Sequence, residues 1–200
     1  KKIFLTKKIW CASSTHYKEE KICAQVHKKL KIKYKNLLTI IIPRHIHRTE
    51  EIIKEINKLD LKIHIHTSKN KVDSNTDIYL VNSFGQTKSF FEFCKTVFLG
   101  GSIIEHGGQN PLEAARYGCK ILHGPHVWNF DEIYTLLKKY NVSNKILNSN
   151  QLTLKVSKLL NNKNNSKNFE TKIKKLGNKI LNSTLNEINF YIKKNEIKKT

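Results

Sequence analysis

Four of the eight glycines in this 200-residue sequence stand at positions 100, 101, 107 and 108, just ahead of Asn110-Pro111-Leu112-Glu113. Glycine pairs let the backbone approach a ligand closely or adopt positive φ. A helix start behind them presents free N–H groups to an anion. Other small, polar and cationic residues occupy comparable points. Ser13-Ser14-Thr15-His16, Pro43-Arg44-His45, Asn82-Ser83-Phe84-Gly85, Gly100-Gly101-Ser102 and Gly124-Pro125-His126 each follow an apolar run. Hydroxyls, N–H groups and the Arg44 guanidinium suit a phosphate or a carboxylate. A ligand is favoured over plain chain reversal, although the glycines form neither a Walker loop nor the dinucleotide fingerprint.

Two further groups invite chemistry. Asn110, Pro111 and Glu113 fit the cap, first turn and third position of a capping box, yet Glu113 could equally accept hydrogen bonds from sugar hydroxyls. The histidines at 45 and 47, 64 and 66, and 123 and 126 come in close pairs. No carboxylate or cysteine completes a recognisable ligand spacing beside them, so no metal site is read.

The elements that must hold these turns alternate. Apolar runs at 8–13, 37–42, 62–67, 77–81, 96–100 and 120–124 read as strands, with a weaker one at 142–146. Helical periodicity falls between them at 17–31, 50–59, 88–94, 111–117 and 129–139. Such alternation predicts an α/β fold with an open parallel, Rossmann-like sheet and helices on both faces. Ligands of such sheets bind at the carboxyl ends of the strands, which is where the small polar turns fall.

Composition narrows the class. With 38% hydrophobic residues and no apolar run of about 18, the chain reads as globular, with no membrane-spanning segment. Cysteines at 11, 23, 94 and 119 are too sparse for a disulfide framework. The net charge of +21 raises a nucleic-acid-binding module as one alternative. However, arginine occurs only at 44, 48 and 116, and the lysines are not interleaved with aromatics as base readout would favour.

Residues 1–150 read as the sheet domain and 151–200 as C-terminal helices around the polar break 161–168. Phe169, Ile173, Leu176, Ile180, Leu185, Ile188 and Ile192 keep helical spacing, so that stripe requires a surface to cover. The sequence has no methionine and opens Lys-Lys-Ile-Phe, so a further N-terminal domain is expected.

The ordered set "ASSTHYKEE" (12–20), "PRHIHR" (43–48), "FLGGS" (98–102), "GGQNPLEAA" (107–115) and "GPHVWNF" (124–130) resembles the C-terminal half of the 3-deoxy-D-manno-octulosonic acid (Kdo) transferases. The resemblance implies the C-terminal domain of a two-domain GT-B glycosyltransferase. It implies CMP-Kdo as donor, a lipid A precursor as acceptor, no cofactor and no metal. It also implies work at the cytoplasmic face of the bacterial inner membrane, against its anionic surface, with no nucleic acid involved. Carried over by motif, Ser14 and Thr15 lie at the donor phosphate and Arg44 at the CMP part. Gly100, Gly101 and Ser102 line the nucleotide pocket, and Asn110 and Glu113 bind near the ribose. His16, His45, Gly85 and Asn129 belong to the same set with less defined roles.

The sequence departs from the family at Gln109, where a histidine is usual, and at Gly85-Gln86-Thr87, where Gly-Glu-Leu is usual. The family's general base is a glutamate of the N-terminal domain, so residues 1–200 alone are expected to bind donor without turnover. The competing reading is a GT-B enzyme using a UDP-sugar.

Overall fold

The computed structural model describes residues 2–69, 71–161 and 166–197. Seven strands build one sheet: β1 (Lys8–Thr15), β2 (Leu37–Pro43), β3 (Ile63–Ile65), β4 (Ile78–Leu80), β5 (Thr96–Leu99), β6 (Lys120–His123) and β7 (Ser143–Lys145). Their order is β3-β4-β2-β1-β5-β6-β7, and every neighbouring pair is parallel. Parallel strands covered on both faces need no alternation of apolar and polar residues. Accordingly β2 is buried at every position, whereas the edge strands β3 and β7 are shorter and less apolar.

Chain order reverses beside β1. Strand β2 lies on one side of it and β5 on the other, in register Ser13 with Leu99. At such a reversal the connections leave β1 and β5 in opposite directions and open a crevice above their carboxyl ends. Between Ser13 and Thr15 the pairing with β2 slips by one residue, and Ser14 takes φ +54°. A bulge of this kind re-aims the side chains at the strand end.

Helices α1 (Lys2–Thr6), α2 (Glu19–Lys33), α3 (Thr49–Asn57), α4 (Thr87–Phe91), α5 (Leu112–Arg116), α6 (Asp131–Lys139) and α7 (Ser149–Asn161) complete this unit. Helix α2 buries Cys23, Ala24, Val26 and Leu30 in the same core as Trp10, Leu37, Ile41 and Phe98. Leu152 and Val156 of α7 join that core, and the Tyr34 hydroxyl donates to the Ser157 carbonyl at 3.1 Å. The compact unit therefore runs to Asn164 and takes in α7, which the sequence boundary at 150 had assigned to the tail.

Residues 165–200 form a second unit, whose helix α8 spans Ser166–Ile197. Leu181, Leu185, Ile188 and Ile192 repeat on it at helical spacing and are all exposed. The side chains of Phe169, Ile173, Leu176 and Ile180, and residues 162–165 of the polar break, fall outside the described residues.

Candidate functional site

A cavity of about 390 Å³ opens at the carboxyl edge of the sheet. Ser13 and Ser14 reach it from β1, Arg44 from the turn after β2, and Asn110 and Glu113 from the start of α5. Thr87 and Gln109 complete the polar wall, with Phe91 and Leu99 as its apolar part. Four of the residues expected from sequence, Ser14, Arg44, Asn110 and Glu113, thus converge from separate turns.

Their side chains are available in different degrees. Arg44 is exposed, and among the described residues its guanidinium has no ion-pair or hydrogen-bond partner, while its N–H is fixed by donating to the Thr15 carbonyl at 2.9 Å. Asn110 Oδ1 accepts from the Leu112 N–H at 3.0 Å in the turn before α5, whose cap position is Pro111 and not Asn110 as the spacing suggested. Glu113 does not close the capping box; its carboxylate lies 4.0 Å from Lys88 Nζ and borders the cavity.

The remaining expected residues support the crevice instead of lining it. Thr15 and Ser102 are fully buried. Ser102 Oγ donates to the Leu99 carbonyl at 2.5 Å and accepts from the Gly124 N–H at 2.9 Å, so its hydroxyl is already used. Gly100 is required by packing: a Cβ there would stand 2.6 Å from the Thr15 Cα. The Asn129 side chain lies against Gly107, leaving no room for a Cβ. Gly85 is exposed in the turn ahead of Thr87.

What sequence reading missed is Glu19. Its carboxylate is buried and accepts four main-chain N–H groups: His16 at 3.0 Å, Gly101 at 2.7 Å, Ser102 at 3.1 Å and Ile103 at 3.0 Å. One side chain thereby ties the β1–α2 turn to the glycine turn after β5, the two walls of the crevice. The only local signal was a pair of acids at the start of α2, which a helix N-terminus explains equally well.

A row of imidazoles extends over this edge. The ring centroids of His47 and His45 are 5.6 Å apart, those of His45 and His16 5.4 Å, and those of His16 and His106 4.0 Å. Gln109 Nε2 lies 3.4 Å from His16 Nε2; an amide NH2 can only donate, so that ring nitrogen accepts. Burial, reinforced by His106, His45, Arg44 and Arg48, lowers the His16 pKa to about 4. His45 is lowered too, by desolvation and then by His47 and the two arginines. Arg48, unlike Arg44, is engaged, with Glu20 at 3.0 Å and Glu51 at 3.1 Å.

No family model matches the chain. It is 35% identical over 130 residues to the 3-deoxy-D-manno-octulosonic acid transferase of Haemophilus influenzae, covering 64% of this chain and 30% of that protein. It is 31% identical over 159 residues to a probable mitochondrial Kdo transferase of Arabidopsis thaliana, covering 78% of this chain and 36% of the relative. The chain is a relative of the Kdo transferases. It spans about a third of the length of these two relatives. The crystal structure of the C-terminal CMP-Kdo binding domain of WaaA from Acinetobacter baumannii superposes with a TM-score of 0.79 at 22% identity, over 86% of this chain and 90% of that one. The Rossmann-like fold expected from sequence is therefore shared with a domain of the Kdo transferase family, and it corresponds to the C-terminal half.

Proposed function

We propose that this domain is the donor-binding half of a Kdo transferase, passing Kdo from CMP-Kdo to a lipid A precursor in lipopolysaccharide synthesis. The observation that carries the reading is the convergence of Ser14, Arg44, Asn110 and Glu113 on one cavity beside the β1–β5 crevice. In the reaction an acceptor hydroxyl oxygen bonds to the anomeric carbon of Kdo, and the bond from that carbon to the phosphate oxygen breaks. Its electron pair leaves with CMP, and the Arg44 guanidinium, without a partner among the described residues, is the group to stabilise that charge. Asn110 and Glu113 offer acceptors to ribose hydroxyls. The acceptor's proton goes to a base outside residues 1–200, in an N-terminal domain that also presents the lipid. No metal or other cofactor takes part.

The setting is the cytoplasmic face of the bacterial inner membrane. No described helix is long and apolar enough to cross a membrane. The net charge of +21 supports attraction to an anionic surface, at about 1 kcal/mol for each lysine close to it. Calorimetric titration with CMP, CMP-Kdo and UDP-sugars tests the reading. CMP and CMP-Kdo should bind, UDP-sugars should not, and the isolated domain should release no CMP from CMP-Kdo in the presence of acceptor. Preference for a UDP-sugar would replace this donor assignment.

A further inference from the structure

The histidine row is larger than nucleotide binding needs. His16 comes from the β1–α2 turn, His45 and His47 from the turn after β2, and His106 from the loop before α5. His16 is buried between the exposed His45 and His106. Acids of the same turns are occupied elsewhere: Glu19 holds main-chain N–H groups, and Glu20 pairs with Arg48. Glu105 is exposed beside His106. Lys18, at the start of α2, is exposed as well. Imidazoles packed edge-on or tilted against one another, next to two guanidiniums, repel once protonated, and a bound anion removes that penalty.

Kdo is itself an acid. Its carboxylate is attached to the anomeric carbon, the same carbon that carries the CMP phosphate, so the donor presents two anions side by side. Arg44 and His45 are consecutive, one lining the cavity and the other standing in the imidazole row between His47 and His16. We propose that His45 and His106, held on either side of the buried His16 ring, together with Arg44 form the subsite that reads the sugar-acid carboxylate of the donor. This rests on the donor reading above and goes beyond it: the nucleotide would select cytidine at the cavity, and the imidazoles would select an ulosonic acid over a neutral hexose. Lowered pKa values at His16 and His45 fit two imidazoles that are neutral beside Arg44 when the site is empty and gain protons as the carboxylate arrives.

The test compares CMP with CMP-Kdo by calorimetry on the wild-type domain, His106→Ala and His106→Arg, in buffers of different ionisation enthalpy. His106→Ala should weaken CMP-Kdo by about tenfold, the loss expected for one charge-assisted hydrogen bond, and leave CMP within about twofold. Wild-type binding of CMP-Kdo near pH 7 should take up more protons than binding of CMP. His106→Arg should restore affinity for CMP-Kdo with less proton uptake. Equal weakening of both ligands, or no change in either, overturns the carboxylate subsite while leaving the donor reading intact. A wild-type domain that binds neither ligand overturns the donor reading and the subsite with it.

Discussion

Glu19→Gln is the substitution that asks most of this structure. The carboxylate shares four N–H donors between its oxygens, Gly101 and His16 on one and Ser102 and Ile103 on the other. A glutamine keeps one oxygen and turns an NH2 group toward the other two donors, which cannot accept. Two buried hydrogen bonds to a charged group are lost, each worth about 1.5–3 kcal/mol, and two donors are orphaned. The expected cost is about 3–6 kcal/mol, a large share of the roughly 5–15 kcal/mol that stabilises a domain. Urea denaturation should show a lower midpoint. Native-state hydrogen exchange should show early loss of protection at Gly101, Ser102 and Ile103. A variant within about 1 kcal/mol of wild type, with those amides still protected, would refute the view that this carboxylate holds the crevice together. Glu20→Gln should cost less, because its partner Arg48 retains Glu51.

Arg44→Ala and Glu113→Ala should each weaken CMP binding by about 1–3 kcal/mol in calorimetry, and Glu113→Ala should leave the thermal midpoint almost unchanged because no capping box is lost. Lys18 has φ +74°, so Lys18→Gly should raise stability by about 0.5–1 kcal/mol in denaturant titration; a lower midpoint would show that this turn carries no strain. His16 and His123 have pKa values lowered from 6.5 to about 4, chiefly by burial, and His27 is lowered in the same way. The unfolded chain binds more protons in that window, so stability is complete above about pH 6.5 and declines toward pH 4, with His123 accounting for about 3 kcal/mol. A flat urea midpoint between pH 7 and pH 4.5 would contradict these buried, neutral imidazoles.

The sheet was legible because its strands are buried on both faces: "LLTIII" has no other comfortable place, and Pro43 marks its end. The small polar turns were legible because each follows such a run. Helix α1 was not read, since five residues carry too little periodicity; Phe4 is instead placed by rings, 5.3 Å from Tyr79 and 6.1 Å from Phe90. The role of Glu19 was not legible because three of its four partners lie 82 to 84 residues away, beyond any local pattern. For the same reason Thr15 and Ser102 entered the expected site: a motif reports which residues travel together, and only the packing tells which of them face the cavity. Of the row of imidazoles only the pair His45 and His47 was visible in sequence, because His16 and His106 join it from two other turns.

The pairing of β1 with β5 also bears on how the chain is made. Synthesis at roughly 5–20 residues per second separates Glu19 from the glycine turn by about 4–16 s. During that interval β1 and β2 can zip together as a nascent α/β fragment, but the carboxylate that closes the crevice has only the His16 N–H of its own turn to hold. It stays largely in water, where its charge is well solvated. When Gly101 to Ile103 leave the ribosome they cap that acid, and the same event that desolvates it creates the crevice. The crevice therefore closes only after β1 to β5 have all been made.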